Sequence, residues 1–132
     1  MSEAHDYKIH KDIKFGFLNL IDVEKIRDGV TEDWFNQTLC QVNDCVVRLG
    51  VVKGEFHWHH HDKEDEFFYV LSGKLFIDLE DRTVELGPNQ GFTIPHGVKH
   101  NTRAPERTTM LMFEGAGVEP TGDSAKGYPL DS

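Results

Sequence analysis

Residues 54–66 read Gly-Glu-Phe-His-Trp-His-His-His-Asp-Lys-Glu-Asp-Glu, and residues 95–100 read Pro-His-Gly-Val-Lys-His. Side chains two residues apart in a β-strand point to the same face of the sheet. If the first stretch is extended, His57, His59 and His61 therefore share one face. Imidazoles that converge from one face are suitable ligands for a transition metal, so we predict a metal site here.

The acidic segment after these histidines can supply a carboxylate to the same site. Four acids compete for that place: Asp62, Glu64, Asp65 and Glu66. Glu66 is favoured because it opens an apolar strand whose face continues with Phe68 and Val70, an inward-facing series. We expect the other three acids to lie in a solvated loop.

The spacing of these residues resembles the first sequence motif of the cupin superfamily, which is a His-x-His pair, three or four residues, Glu, six residues and Gly. The frame that begins at His59 fits, with Glu66 as the acid and Gly73 as the glycine. A frame that begins two residues earlier would place Leu71 at the glycine position. The resemblance therefore selects His59 and His61 as the ligand pair.

The second stretch resembles the second cupin motif, Pro-x-Gly-x-x-His, and this resemblance implies His100 as the fourth ligand. Two positions depart from the family pattern. Asn89 stands where the motif has a glycine six residues before Pro95, and Ala104 stands where an asparagine is common. Asparagine adopts the left-handed backbone conformation more readily than other non-glycine residues, and neither position is a ligand.

The resemblance implies an all-β fold, the cupin double-stranded β-helix or jelly-roll barrel, with a short N-terminal helix. The chain is similar to small single-domain proteins described as mannose-6-phosphate-isomerase-like or RmlC-like. The implied cofactor is one divalent transition metal, Fe²⁺, Mn²⁺, Ni²⁺ or Zn²⁺. Its implied ligands are His59, His61, Glu66 and His100. Such a ligand set leaves two positions of an octahedral ion open for a small-molecule substrate.

Two functions are consistent with this site. The first is a metal-dependent enzyme, of the dioxygenase or isomerase/lyase type, with His57 as the catalytic acid–base candidate. The second is a non-catalytic module that binds a metal or a small ligand, and the fold alone does not distinguish the two. A pocket-lining role for His57 and a barrel that has lost its metal stay open as alternatives. A sugar-phosphate substrate would need cations at the barrel mouth, for which Arg48 and Arg103 are the nearby candidates.

The N-terminal part of the chain has weaker signals. Residues 1–12 are polar and are expected to be irregular or draped over a sheet, whereas residues 13–20 alternate enough to predict a first strand. Asp22 is a candidate N-cap for a short helix that ends at Gly29.

Short strands separated by Gly and Pro follow, which is typical of a β-sandwich or a small barrel. Two of them are expected at residues 100–103 and 110–113. We expect three parts in the chain: residues 1–36 as an N-terminal arm with the short helix, residues 37–114 as the cupin barrel, and residues 115–132 as an irregular tail.

Cys40 and Cys45 flank a predicted two-residue hairpin turn at Asn43 and Asp44. This register pairs Val42 with Cys45 and sets the two thiols diagonally, so we expect free, mostly buried thiols and no disulfide.

The strand that begins at Glu66 is apolar on both faces, because Phe67, Tyr69 and Leu71 alternate with the inward series. Both faces of such a strand need cover. The cover can come from the N-terminal third of the chain or from a second subunit, and the cupin resemblance favours a homodimer.

The chain has 132 residues, which is enough for one domain, and a net charge of −9. It has no stripe of Lys and Arg, so neither nucleic acid nor a membrane is an expected partner. No apolar run approaches the roughly 20 residues that cross a bilayer, and the first residues do not resemble a signal peptide. The expected location is the cytoplasm.

Overall fold

The computed structural model describes residues 7–117, which form a jelly-roll barrel of eight β-strands with one short helix. The strands are β1 (Tyr7–His10), β2 (Trp34–Val42), β3 (Cys45–Glu55), β4 (Glu66–Ser72), β5 (Leu75–Leu79), β6 (Thr83–Leu86), β7 (Gly91–Ile94) and β8 (His100–Gly115), and the helix α1 is Val23–Asp28. The predicted all-β fold with a short N-terminal helix is confirmed. Within residues 7–117, no helix has the length and apolar character to cross a bilayer.

The long strand β8 organises the sheet, because its two halves pair with different strands. Its C-terminal half lies between β3 and β4, and its first residues pair with β5. The strand order is β1-β2-β3-β8-β4-β7, and β5 also pairs with β6. The prediction of two short strands, at residues 100–103 and 110–113, was wrong, because both lie in the single strand β8. Residues 105–107 are exposed and lie where the pairing between β3 and β8 shifts register, so they form an irregularity in β8 and do not end it.

The first strand lies at Tyr7–His10, so the prediction of a first strand at residues 13–20 was wrong, and residues 7–10 lie on the sheet as its edge strand. Tyr7 and Ile9 are buried, and β1 pairs in parallel with β2. Residues 13–20 contain a turn instead of a strand, with Leu18 at a φ of 65° and fully exposed. The apolar residues alternate along residues 13–20, but the turn at Leu18 interrupts this segment, so it does not form a strand.

The helix α1 begins and ends where the sequence predicts. The side chain of Asp22 accepts a hydrogen bond of 3.2 Å from the backbone N–H of Lys25, and the backbone N–H of Gly29 donates to the carbonyl oxygen of Ile26 at 3.0 Å. Val23 and Ile26 pack against buried residues of β2 and β3. The helix thereby covers part of the outer face of the sheet.

The apolar residues form two clusters, one inside the barrel and one on its outer face. The interior cluster includes Trp34, Val52, Phe56, Phe68, Val70, Leu75, Ile77, Ile94, Met110 and Met112. The outer cluster is Leu39, Leu49 and Val51, and N-terminal residues from Phe15 to Val30 pack on it. On β4 and β8 the outer face has less cover, because Phe67 and Tyr69 are half-buried and Phe113 is 40% exposed.

The predicted hairpin joins β2 and β3. Val42 pairs with Cys45, and Asn43 has a φ of 51° in the turn. Both cysteines are free, as predicted, but Cys45 is exposed rather than buried because it directly follows the turn.

The expected division at residues 1–36, 37–114 and 115–132 stays a prediction. Most of the expected tail, residues 118–132, lies outside the described residues.

Candidate metal centre

Four side chains from three segments meet inside the barrel: His59, His61, Glu66 and His100. Each offers one ligand atom, these atoms all lie within 4.8 Å of one another, and all four residues are buried. They are the four residues that the sequence selected, so the structure brings the whole predicted ligand set together.

The segment between β3 and β4 presents its histidines as an extended chain does. His57, His59 and His61 are buried, whereas Trp58 between them is 49% exposed. The backbone N–H of Gly97 donates a hydrogen bond of 2.7 Å to the carbonyl oxygen of His61, which ties the two sequence motifs together.

Backbone carbonyls orient two of the imidazoles. Nδ1 of His59 lies 2.8 Å from the carbonyl oxygen of His57, and Nδ1 of His100 lies 3.0 Å from the carbonyl oxygen of Val98. A carbonyl oxygen only accepts, so each Nδ1 carries the hydrogen. In the neutral imidazole this leaves the Nε2 lone pair available to a metal.

The carboxylate of Glu66 lies against the other imidazoles. Its Oε1 is 3.4 Å from Nε2 of His61 and 3.5 Å from Nε2 of His100. Among the residues that the structure describes, neither Oε1 of Glu66 nor Nε2 of His100 has a hydrogen-bond partner. Buried polar atoms without a partner are costly. A divalent ion would satisfy both atoms, so this donor set fits a transition metal.

The electrostatic surroundings favour the ligand forms of these groups. Burial, followed by the repulsion of His100, lowers the pKa of His59 to about 3. Burial acts to raise the pKa of Glu66, but the neighbouring side chains of His100 and His61 outweigh burial and hold this pKa well below its usual range. At neutral pH His59 is therefore neutral and Glu66 is charged, the forms in which they bind a metal.

A buried ion pair lies beside the cluster, and the sequence reasoning missed it. Nε of Arg48 donates a hydrogen bond of 2.8 Å to Oε2 of Glu114, and both side chains are almost fully buried. Burial and the nearby charge of Glu66 raise the pKa of Glu114 well above its usual range. The available signal was the pattern Met110, Met112, Glu114 at alternate positions of one strand, which places an acid in an inward series.

The two arginines considered as phosphate-binding groups, Arg48 and Arg103, already have carboxylate partners. Arg48 is bound to Glu114, and Arg103 makes two hydrogen bonds to Asp78, of 2.9 and 3.1 Å. Neither guanidinium is therefore an open phosphate-binding group.

His57 lies next to the cluster on the same face. Its ring centroid is 5.2 Å from that of His59 and 4.1 Å from that of Phe56, and its residue is 9% exposed. Among the described residues, the group of ligand atoms within 4.8 Å does not include it.

The cavity that adjoins the cluster has a volume of about 20 Å³. Its lining combines polar residues, among them Asn36, His59, Glu66 and Glu114, with apolar ones, among them Trp34, Phe56, Met110 and Met112. This volume holds about one water molecule.

The remaining polar residues of the two motifs face away from the site. Nε2 of His60 lies 2.9 Å from Asp62, and Nδ1 of His96 lies 3.0 Å from Asp65. Asp62 and Asp65 are exposed, as the sequence predicted, whereas Glu64, the third acid expected in the solvated loop, is half-buried.

Turn residues with left-handed backbone hold the motif in shape. Gly73 has a φ of 88° and Gly97 a φ of 84°. Asn89, which stands at a motif glycine position, has a φ of 67°. The departure at this position therefore keeps the backbone conformation that the motif needs.

Comparisons with known proteins match this architecture. Residues 46–114 match the profile of the family described as Cupin domain. The chain is 44% identical over 90 residues to the uncharacterized protein YdbB of Bacillus subtilis (strain 168). This match covers 67% of this chain and 80% of that protein. The chain is 32% identical over 98 residues to 3-hydroxyanthranilate 3,4-dioxygenase of Burkholderia cenocepacia, covering 70% of this chain and 55% of that enzyme.

A solved structure agrees with the fold. The crystal structure of a cupin-2 domain containing protein from Shewanella frigidimarina matches with a TM-score of 0.69 and 30% sequence identity. The match covers 73% of this chain and 94% of that chain.

Proposed function

We propose, because this chain belongs to the cupin family, that it is a metal-dependent enzyme acting on a small molecule through His59, His61, Glu66 and His100. The four candidate ligands lie inside the jelly-roll barrel and are buried, so a bound ion would be shielded from bulk water. The proposed cofactor is one divalent transition metal, with Fe²⁺, Mn²⁺, Ni²⁺ and Zn²⁺ all compatible with three imidazoles and a carboxylate.

The orientation of the imidazoles is the observation that carries this proposal. Two of them donate Nδ1–H to a backbone carbonyl, and the Oε1 atom of Glu66 has no hydrogen-bond partner among the described residues. A barrel that had lost its metal would leave these buried atoms without compensation. A bound ion would supply Lewis-acid polarisation of a substrate oxygen and, if it is redox-active, reactivity toward dioxygen.

His57 is the proposed proton donor and acceptor. It lies beside His59 on the same face but is not one of the four proposed ligands. Because His57 stays outside the proposed metal coordination, its imidazole can exchange a proton with the substrate.

Between the two reaction types, dioxygenation has the better support. The similarity to 3-hydroxyanthranilate 3,4-dioxygenase supports it. Arg48 and Arg103 are engaged by carboxylates, which removes support for a sugar-phosphate isomerase.

A non-catalytic module that binds a metal or small ligand is the second candidate, and one observation favours it. The cavity beside the cluster has a volume of about 20 Å³. Such a cavity holds about one water molecule and no organic substrate, so an enzyme has to open its barrel to admit one.

Oxygen uptake distinguishes these candidates. Protein reconstituted with Fe²⁺ without oxygen is compared with Zn²⁺ protein against a panel of catechols, thiols and ketoacids. Consumption of oxygen that needs both Fe²⁺ and an organic substrate is the expected result. Ligand-induced shifts of Tm in both metal forms, without uptake or product by mass spectrometry, would support the binding module instead.

We also propose a homodimer, which the half-covered outer face supports. Phe67 and Tyr69 are half-buried, and Phe113 is 40% exposed beside them. A second copy that packs on this face would cover it. Sedimentation velocity on wild type and Phe113→Ser checks this, with loss of the dimer expected in the variant. Phe17→Ser, in the exposed turn at residues 13–20, is the matched control, and loss of the dimer in that variant alone would place the contact elsewhere.

A further inference from the structure

The buried pair of Arg48 and Glu114 lies directly behind the candidate ligand Glu66. Glu66 on β4 and Glu114 on β8 are opposite each other in the antiparallel pairing of these strands. Side chains directly opposite in such a pair have Cβ atoms about 4.5–5.5 Å apart. Both residues are buried, and both line the small cavity beside the cluster.

Glu114 is itself held from its other side. Nε of Arg48 donates to Oε2 of Glu114 at 2.8 Å, and Nη1 of Arg48 donates to the hydroxyl oxygen of Thr38. The side chains of Arg48 and Glu114 are 3% and 1% exposed. These hydrogen bonds link β2, β3 and β8, and Glu114 at their end lies opposite Glu66 on β4.

The position of Glu114 opposite Glu66 restricts the space available to the carboxylate of Glu66. Oε1 of Glu66 is the oxygen that lies 3.4 Å from Nε2 of His61 and 3.5 Å from Nε2 of His100. If the carboxylate rotated about its last bond, this oxygen would leave the imidazoles. A buried side chain that Arg48 holds in place directly opposite on the adjacent strand limits that rotation.

We propose that Arg48 and Glu114 are positioning residues that aim the Glu66 carboxylate at the three imidazoles and thereby set the affinity of the cluster for a divalent ion. This inference rests on the proposed function, because it concerns the same ligand set. Residues that orient a metal ligand typically change metal affinity about 10–100-fold when they are replaced.

Cobalt(II) is a suitable probe, because its visible absorption reports the geometry of its ligands while a titration reports its Kd. Glu114→Leu removes the polar group opposite Glu66 and the acceptor for Arg48, whereas Glu114→Gln keeps the shape and a carbonyl oxygen for Arg48. We expect Glu114→Leu to weaken Co²⁺ binding about 10–100-fold and to change the absorption spectrum. Glu114→Gln is expected to give a Co²⁺ affinity and an absorption spectrum closer to those of wild type.

A control on the opposite face of β3 distinguishes a general loss of stability from a specific effect on Co²⁺ binding. Leu49 lies in the outer cluster and is fully buried. Leu49→Ala lowers the Tm without contact to the ion pair, so its Co²⁺ affinity and spectrum should stay those of wild type. Should Glu114→Leu fail to fold, Arg48→Lys provides the same comparison, since it keeps the charge but loses the Nε–H contact to Glu114.

Two results would overturn the inference. One is a folded Glu114→Leu protein, or a folded Arg48→Lys protein in its place, with wild-type Kd and spectrum. The other is a Leu49→Ala protein with the same changes as Glu114→Leu. If wild-type protein itself binds no Co²⁺, the proposed function fails together with this inference, whereas binding by wild type with no effect of the replacements refutes the positioning role alone.

Discussion

The backbones of His59 and His100 exchange two hydrogen bonds, each of 2.9 Å, and form an isolated antiparallel bridge. The bridge brings the two imidazole ring centroids to 4.3 Å. It joins the segment that precedes β4 to the first residue of β8. Backbone hydrogen bonds therefore hold the two sequence motifs together independently of a metal ion.

Removal of one proposed ligand should abolish tight metal binding. His100→Ala is expected to lower metal affinity by more than about 100-fold, since even residues that only orient a ligand typically cost 10–100-fold. The metal content of purified protein, measured by mass spectrometry after reconstitution, checks this. His60→Ala, in the histidine run of the first motif, is the control, because His60 contacts Asp62 instead of the cluster. Equal metal content in the two variants would refute the assignment of His100.

His57 should matter for turnover and not for metal content. His57→Gln is expected to keep wild-type metal stoichiometry and to lower kcat by about 10²–10⁴-fold, the usual contribution of a general acid or base. Metal analysis and the oxygen-uptake assay on the same preparation separate the two effects. A variant that loses its metal instead would make His57 a ligand.

Gly73 should be far less tolerant of a side chain than Gly97. Both have a positive φ, of 88° and 84°. A Cβ at Gly73 would lie 2.5 Å from Oγ1 of Thr108 and 2.7 Å from the carbonyl oxygen of Arg107, whereas a Cβ at Gly97 would meet nothing within 4 Å. Gly97→Ala is expected to cost about 1 kcal/mol from backbone strain alone, and Gly73→Ala about 3 kcal/mol. Denaturant unfolding measures both, and equal costs would exclude the close approach as the cause.

The ion pair of Asp78 and Arg103 should stabilise the barrel above acidic pH. The hydrogen bond from Arg103 is the largest effect that lowers the pKa of Asp78, and hydrogen bonds from Thr83 and Asn101 add to it, while partial burial opposes them. A carboxyl group whose pKa is lower in the folded state stabilises the fold above its unfolded pKa of about 3.9, and this contribution is lost as the pH falls toward the folded value.

Asp78→Asn tests this dependence. The variant is expected to be less stable at pH 7 by about 0.5–1 kcal/mol, a value discounted for solvent screening of a partly exposed pair. The difference in free energy of unfolding from wild type should shrink below about pH 4. A difference that is constant between pH 7 and pH 3 would contradict the role of the charge.

Local patterns were enough to predict several elements. The cap at Asp22 and the hairpin at Asn43 depend on a few neighbouring residues, and the structure confirms both. The buried face of His57, His59 and His61 follows from the period of two in an extended chain. The first strand was misplaced because residues 13–20 alternate in sequence yet turn at Leu18, and pairing with β2 is available at Tyr7–His10 instead.

The sequence by itself determined which side chains can form the candidate site, because ligand type, spacing and the left-handed turn positions are local properties of the chain. Only the tertiary structure decided that Glu114 lies opposite Glu66 and that Arg48 pairs with Glu114. Strand register decides which distant residues face each other, and it depends on packing across the whole barrel. The volume of about 20 Å³ beside the cluster is likewise a result of packing, since it depends on how side chains from several strands fill one interior.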